Sequence, residues 1–266
     1  MEKISKNQVK FVRTLARKKE RDATSMFVAE GEKCVGELMK TFELVLRADA
    51  TNATSLELEQ MSSLRSPQGV VAVFRKPQDT MPPMPAVAAN ELVLVLDGVQ
   101  DPGNVGTIIR TADWFGIRHI YCSPDTADCW SPKVVQATMG ALARVHVHYC
   151  NLFEQCRLVA EQGSTVLKHG SLVSEQGSAR GESGSVVPVY GTLLDGRNLY
   201  DSGAVPNKRN GLIVMGNEGK GISPEMRSLI THPLLIPPYP LHADTSESLN
   251  VGIATAVILA EFRRPQ

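Results

Sequence analysis

Residues 92–122 place two strand-length apolar runs on either side of one predicted helix. The runs cover residues 92–96 and 117–122, and the helix between them is predicted over residues 104–115. Gly116 follows this helix directly, and glycine often ends helices because it adopts the left-handed conformation at little steric cost. Two strands joined by a single helix pair in parallel, so the sequence predicts an α/β fold with helices on both faces of its sheet.

Proline-rich residues 76–90 divide the chain into two parts. This stretch holds four prolines and little apolar periodicity, which is typical of a semi-rigid linker. Residues 1–75 are predicted to form a small α/β domain, and residues 91–266 a larger domain that contains the parallel sheet. Within the larger domain, the Gly- and Ser-rich residues 163–187 are predicted to be an extended surface segment, and residues 248–262 an amphipathic helix.

The composition is that of an ordinary globular chain, and it excludes several classes of protein. The 266 residues carry no net charge, and no apolar run approaches the roughly 18 residues that cross a bilayer. The N-terminus lacks the apolar segment of a signal peptide, and the five cysteines include no C-x-x-C pair. The six histidines show no metal-ligand spacing. We therefore expect a cytoplasmic protein with reduced thiols, no metal and no membrane contact.

The first predicted helix carries a row of cations. Ser5 and Gln8 have the spacing of a capping box, which predicts a helix start at Ser5. The cations are Lys6, Lys10, Arg13 and Arg17. Their steps of four, three and four residues place them on one helical face, which suits the phosphate backbone of RNA and equally suits a solvated helix face. The neutral total charge argues against strong, indiscriminate binding of nucleic acid.

Three short segments supply residue types that fit a ligand site. Residues 216–221, Gly-Asn-Glu-Gly-Lys-Gly, follow an apolar strand, and their glycines leave main-chain groups open to a ligand. Asn104 is predicted to cap a helix, and Arg110 to lie over the gap left at Gly106, at the carboxyl edge of the sheet. The third segment is Ser-Glu-Ser-Leu-Asn at residues 246–250.

Each segment also has a purely structural interpretation. Glycine-rich turns serve tight packing, Arg110 could pair with a surface acid, and Ser246 or Ser248 could cap the last helix. The glycine order at residues 216–221 is the reverse of the dinucleotide-binding motif, and no acidic residue follows at the distance that grips a ribose. A nicotinamide oxidoreductase is therefore disfavoured.

In this order, the segments resemble the signature of the SpoU (TrmH-type) RNA 2′-O-ribose methyltransferases of the SPOUT superfamily. The likeness covers about residues 91–266, and residues 133–142 also look like the family. Residues 1–75, with their Pro-Gln-Gly turn, are similar to the family's L30e/L7Ae-like substrate-binding domain. The matching motif residues are Asn104, Gly106, Arg110, residues 216–221, Ile236, Pro237 and residues 248–251.

The resemblance implies a parallel-sheet methyltransferase domain with a C-terminal trefoil knot, a homodimer, and S-adenosylmethionine as methyl donor. It implies methylation of a ribose 2′-hydroxyl in structured RNA, with rRNA favoured over tRNA. The residues implied to hold the cofactor are Thr192, Leu193, Gly216, Ile236 and Leu249. The residues implied at the reacting ribose are Arg110, Asn104, Glu218, Ser248 and Asn250.

Two departures from the family pattern concern the cofactor pocket. Residues 237–247 form a longer loop than is usual and lack its glycine, and Gly252 stands where the family commonly has serine. The altered loop argues weakly for an alternative function, that of a catalytically silent RNA-binding or ribosome-assembly protein with the same fold. Intact Arg110, Glu218 and Asn250 argue against that alternative.

Overall fold

The computed structural model forms two compact units. The first contains Met1–Thr80, Gln100–Arg118 and Ala127–Val147, and the second contains Met81–Val99, His119–Thr126 and His148–Gln266. In the part of the chain that the structure describes, no helix is long and apolar enough to cross a membrane. The residues described are 3–64, 66–78, 80–169, 187–240 and 248–264, with only the main chain described over 162–169.

Helices and strands alternate along the described chain. The helices are α1 (Lys6–Thr14), α2 (Lys18–Thr24), α3 (Glu32–Leu38), α4 (Ser55–Met61), α5 (Met84–Ala88), α6 (Pro102–Trp114), α7 (Pro132–Thr138), α8 (Leu152–His169), α9 (Pro224–Arg227) and α10 (Val251–Phe262). The strands are β1 (Met26–Glu30), β2 (Leu44–Ala48), β3 (Val71–Arg75), β4 (Leu92–Asp97), β5 (His119–Cys122), β6 (His146–Tyr149), β7 (Val189–Asn198), β8 (Gly211–Gly216) and β9 (His232–Leu235).

The first unit holds a three-stranded antiparallel sheet in the order β1-β3-β2. The capping box at the start of α1 is confirmed, since the Ser5 hydroxyl accepts from the Gln8 amide and the Gln8 side chain accepts from the Ser5 amide. Val9, Val12 and Leu15 point from α1 and the turn after it into a core shared with β1, β3 and α4. The periodicity of these apolar residues therefore decides which face of α1 is buried.

Segments distant in sequence complete the first unit. Trp130, just before α7, packs its ring 4.7 Å from that of Phe27 in β1 and 5.9 Å from that of Phe42. The guanidinium of Arg21 is almost fully buried and lies 2.6 Å from the Asp128 carboxylate. Residues 127–147 thus share a hydrophobic core and an ion pair with the N-terminal residues.

The second unit is built on a six-stranded sheet in the order β6-β5-β4-β8-β7-β9. The β4–β5, β4–β8, β7–β8 and β7–β9 pairs are parallel, which confirms the predicted α/β fold. After β4, the strands β5 and β6 lie on one side of it, and the later strands β7, β8 and β9 lie on the other side. The order of strands therefore reverses between β4 and β8, the place where open α/β sheets bind their ligands.

Some sequence expectations about local structure were wrong. α8 continues to His169, so the first part of the predicted surface segment is helical, and residues 170–186 lie outside the described residues. Residues 76–90 contain α5, whose Met84 and Ala88 are buried in the core of the second unit, and the division of the chain at these residues stays a prediction. α10 starts at Val251, and its apolar residues are spread around the helix and not confined to one face, so it is not the amphipathic helix that was expected.

Candidate active site

The carboxyl ends of β4 and β8 meet at the point where the strand order reverses. Asp97 ends β4 and is the register partner of Gly216, which ends β8. The Asp97 carboxylate accepts from the main-chain N–H of Ser223 at 2.7 Å, and this bond ties the segment after the glycine-rich loop to β4. Asp97 was not singled out from the sequence, although a polar residue that ends a buried apolar strand is a usable signal.

The glycine-rich loop 216–221 is a closed, internally bonded turn. Asn217 and Gly221 exchange both main-chain hydrogen bonds, at 3.0 and 2.9 Å. The Asn217 side-chain oxygen accepts from the amides of Gly219 and Lys220 at 2.9 and 3.0 Å. Its amide nitrogen donates to the Gly98 carbonyl at 2.7 Å. Asn217 therefore organises the loop, a role that its position in a glycine-rich turn could have suggested.

Gly216 is buried, and its missing side chain serves the loop itself. A Cβ there would lie 2.3 Å from the main-chain carbon of Gly221 and 2.3 Å from the nitrogen of Ile222. The missing side chain at Gly216 was expected to open the main chain to a ligand. That reason is wrong, because the returning loop fills the space that a Cβ would occupy. The open part of the loop is its tip, where Glu218, Gly219 and Lys220 are exposed.

Thr192 and Leu193 lie where β7 leaves regular pairing. Leu234 of β9 is paired with both Thr192 and Arg197, so residues 193–196 bulge out of the strand. Leu193 is half-buried and packs against the core of the second unit. At Gly196 a Cβ would lie 2.5 Å from the main chain of Leu234, so glycine lets the two strands approach after the bulge.

The remaining cofactor candidates lie at the end of β9 and the start of α10. Ile236 directly follows β9 and is half-buried, and Leu249 is 51% exposed. Because β8, β7 and β9 are neighbours in the sheet, Gly216 and Thr192 lie on adjacent parallel strands and Ile236 lies directly after the next one. Partly exposed apolar side chains beside strand ends suit a ligand with an aromatic ring and a charged tail, such as S-adenosylmethionine.

Ser248 and Asn250 stand at the mouth of α10, and both are exposed. The Asn250 side chain accepts from the amides of Gly252 and Ile253, at 2.9 and 3.3 Å, and is the N-cap of α10. The suggestion that Ser248 caps this helix is therefore wrong, and Ser246 lies outside the described residues. The Asn250 cap also fixes the direction in which residues 248–250 enter the helix.

Asn104 and Arg110 belong to α6 in the first unit. The N-cap of α6 is Asp101, whose carboxylate accepts from the Asn104 amide at 2.9 Å, so the expectation that Asn104 is the cap was wrong. At Gly106 a Cβ would lie 2.4 Å from the Cβ of Ala137 in α7, so this glycine serves helix packing and not the Arg110 guanidinium.

Arg110 itself is exposed on α6. Among the described residues, no hydrogen bond or ion pair to its guanidinium is found, so the alternative of a pair with a surface acid is not what the structure has. A guanidinium keeps its proton at any physiological pH. Arg110 is therefore a cation available to an anionic ligand.

The basic row predicted on the first helix is shorter than expected. Lys6, Lys10 and Arg13 are exposed on α1, but α1 ends at Thr14. Arg17 is exposed beyond it, at the N-cap of α2.

No cluster of three or more metal-binding side chains occurs among the described residues, and all five cysteines are free thiols.

Two family models match the chain. Residues 91–260 match the SpoU rRNA Methylase family, and residues 6–72 match the MRM3-like substrate binding domain. The 23S rRNA (guanosine(2553)-2′-O)-methyltransferase RlmP of Bacillus subtilis is 28% identical, over 97% of this chain and 97% of its own.

Two solved structures are similar over nearly the whole chain. One is from Porphyromonas gingivalis and is assigned to the TrmH family of RNA methyltransferases; it is 38% identical, covers 98% of both chains and has a TM-score of 0.77. The other is an AdoMet-bound rRNA methyltransferase from Sinorhizobium meliloti, 25% identical over 99% of this chain and 97% of its own, with a TM-score of 0.75.

Proposed function

Because the chain belongs to the SpoU rRNA methylase family, we propose that it is an S-adenosylmethionine-dependent enzyme that methylates a ribose 2′-hydroxyl in ribosomal RNA. The observation that carries this proposal is the end-to-end likeness to the Bacillus subtilis 23S rRNA methyltransferase, which spans both matched parts of the chain. The AdoMet-bound relative from Sinorhizobium meliloti supports the same donor. A cytoplasmic location stays a prediction.

We also propose that the cofactor is held mainly through the main chain by Thr192, Leu193, Gly216, Ile236 and Leu249. S-adenosylmethionine supplies a methyl group already activated by its sulfonium. The protein then has to align that group with the ribose oxygen and allow one proton to leave. The internally bonded loop at Gly216 supports this role, since a fixed main chain loses little entropy when a ligand binds.

Arg110 is proposed to act at the ribose. It cannot serve as the base, because a guanidinium stays protonated in proteins. Its positive charge would stabilise the oxygen as negative charge develops, while a phosphate or a water molecule accepts the proton. Asn104, Glu218, Ser248 and Asn250 are proposed to orient the reacting groups. The exposed, unpaired state of Arg110 in the described structure supports this role.

The N-terminal 75 residues are proposed to select the RNA, with Lys6, Lys10, Arg13 and Arg17 as phosphate contacts. The match of residues 6–72 to a substrate-binding domain supports this assignment, as does the exposure of all four side chains. The division of the chain at residues 76–90 and the C-terminal trefoil knot stay predictions.

We further propose a homodimer that forms through α10. Its solvent-facing side presents Ile253, Ala256, Val257 and Ala260, spaced as one helical face, and Ile253 is 54% exposed. A second copy would cover this apolar face. Ile253→Glu is expected to give a monomer in light scattering, with Lys19→Glu on exposed α2 as a control that stays dimeric.

The experiment that tests the function combines binding and transfer. Calorimetry should detect S-adenosylmethionine binding, and labelled donor should methylate protein-free rRNA at a ribose that becomes resistant to alkaline cleavage. Arg110→Ala should abolish transfer and leave donor affinity within a few-fold, whereas Arg157→Ala, which removes an exposed arginine paired with Glu154, should leave both unchanged. If neither the free protein nor its RNA complex binds the donor, the silent RNA-binding alternative is correct.

A further inference from the structure

A second group of cations surrounds a cavity at the C-terminal end of α10. The cavity has a volume of about 320 Å³ and lies between loop residues 206–209 and residues 262–264. Its charged lining consists of Lys208, Arg209, Arg263 and Arg264, and we call this group the basic pocket. It lies at the opposite end of α10 from Asn250, about 18 Å away along the helix axis.

The basic pocket has a local excess of positive charge in a chain whose total charge is zero. None of the described residues that line the cavity is acidic. Glu261 pairs with two of these cations, since Lys208 and Arg264 both contact its Oε1 atom at 3.0 Å. One carboxylate is thus shared by two cations, and the exposed Arg209 adds further positive charge.

The pocket is held in place by bonds that do not use its arginine side chains. Lys208 Nζ donates to the Glu261 carbonyl at 3.0 Å and so caps the C-terminus of α10. The Tyr190 hydroxyl donates to the Asn207 carbonyl at 2.7 Å, and burial raises the pKa of Tyr190, so this donor keeps its proton. The Asn207 side chain accepts from the Arg209 amide at 2.9 Å.

The floor of the pocket is also rigid. The Phe262 ring is almost fully buried and packs edge-to-face on Tyr190, with ring centroids 4.8 Å apart. The arginines therefore project from a fixed main chain on both sides of the cavity. Guanidinium groups in such an arrangement match phosphate oxygens through paired hydrogen bonds, and little main-chain entropy is lost when the anion binds.

We propose that the basic pocket binds the phosphate backbone of the RNA substrate, at a point separate from the residues of methyl transfer. This inference rests on the proposed function, because it takes the polyanion to be the RNA that is methylated. The separation of about 18 Å between Asn250 and the pocket exceeds the spacing of neighbouring phosphates, so the pocket would contact the RNA away from the reacting ribose. The pocket would therefore set the position of the RNA along the protein and would take no part in methyl transfer.

The test is the salt dependence of binding to protein-free rRNA. The variant is Arg209→Ala/Arg263→Ala/Arg264→Ala, and Lys208 is kept because it holds the end of α10. Each lost phosphate contact lowers the slope of log affinity against log salt by about 0.7 to 0.9, so the slope should fall by about two to three. Affinity for S-adenosylmethionine should stay within twofold.

The matched control removes the same charge elsewhere. Arg157→Ala/Arg197→Ala/Arg227→Ala deletes three arginines outside residues 1–75, each of which already has a carboxylate partner. Its salt slope should change by less than one unit. A slope for the pocket variant equal to that of the control would overturn the inference, and so would conversion of the pocket variant to a monomer, which would make the pocket a contact between subunits.

Further variants separate this inference from the proposed function. The single change Arg209→Glu, in an exposed loop, should weaken RNA binding at least tenfold even if the triple variant folds poorly, and Arg209→Lys should restore most of it.

If the pocket variants lose RNA affinity but the wild type transfers no methyl group, the pocket stands and the enzyme proposal fails. If the wild type methylates RNA and the pocket variants bind it normally, the pocket fails alone. Absence of any RNA binding by the wild type would refute both.

Discussion

Asp128→Ala should destabilise the first unit, because it leaves a buried guanidinium without its counter-ion. Arg21 is 2% exposed, and its Nη2 and Nε atoms donate to one Asp128 oxygen at 2.6 and 3.2 Å. The other Asp128 oxygen accepts from the Trp130 amide at 3.0 Å. The carboxylate therefore joins the N-terminal residues to the segment that leads into α7.

The expected loss of unfolding free energy depends on the hydrogen bonds that Arg21 retains. Removal of one partner from a buried ion pair costs about 3 to 5 kcal/mol. Arg21 keeps two further acceptors, since its Nη1 donates to the carbonyls of Leu15 and Ala16 at 2.8 Å. We therefore expect the lower end of the range, about 3 kcal/mol. Asp128→Asn keeps an oxygen acceptor and loses the charge, so it should cost less, about 1.5 to 3 kcal/mol.

The fluorescence of Trp130 reports the stability of this unit directly. Trp114 is 86% exposed, so Trp114→Phe should change stability by less than about 0.5 kcal/mol and leave Trp130, packed against Phe27, as the remaining tryptophan. In this background a loss of about 3 kcal/mol lowers the urea midpoint by about 1 to 3 M.

The control is an aspartate whose ion pairs are exposed. Asp22 lies 3.0 Å from Lys18 and 2.9 Å from Lys76, and its side chain is half exposed, so Asp22→Ala should cost less than about 1 kcal/mol. A midpoint for Asp128→Ala that matches the Asp22→Ala control would refute the reasoning. In that case the contacts of residues 127–147 with the N-terminal residues would contribute little to folding.

Two further predictions concern the glycine-rich loop and acid stability. Gly216→Ala places a Cβ against the loop's own main chain and should lower donor affinity at least tenfold by calorimetry, whereas at Gly219 the nearest atom is 3.8 Å away and Gly219→Ala should have little effect. Hydrogen bonds from Thr51 and Arg47 lower the pKa of Asp49 to about 2, so its stabilising contribution is present above about pH 4 and lost as the pH falls toward 2. In denaturation experiments the wild type should be more stable than Asp49→Asn, and this difference in the free energy of unfolding should narrow below pH 4.

The features that depend on one helical turn could be predicted from the sequence. The Ser5–Gln8 capping box and the left-handed Gly116 after α6 both have the predicted form. The capping box depends on side chains within three residues of the main-chain groups that they satisfy, and Gly116 depends on its own backbone freedom. The parallel sheet followed from the same local patterns, since two strands with one helix between them leave few other topologies.

The sequence could not show why a glycine is needed at a given position, because the fold decides which atoms a side chain would meet there. Gly106 was expected to leave room for the Arg110 guanidinium and Gly216 for a ligand, yet one makes room for Ala137 and the other for its own loop. The same limit applies to the cap of α6. Asp101 is the N-cap and Pro102 occupies the first helical position, so this proline is the signal in the sequence that favours Asp101 over Asn104.

The distribution of charge is the feature that sequence and structure together explain best. A chain with no net charge attracts a polyanion only where its cations are segregated from its acids. The sequence revealed one such region, because Lys6, Lys10 and Arg13 are neighbours on one helix. The basic pocket could not be found in this way, since Lys208 and Arg264 are far apart in the chain and meet only once α10 packs beside the strand β8. If both cation clusters bind RNA as proposed, they would give local anchoring with weak long-range attraction, which would favour a shaped RNA over nucleic acid in general.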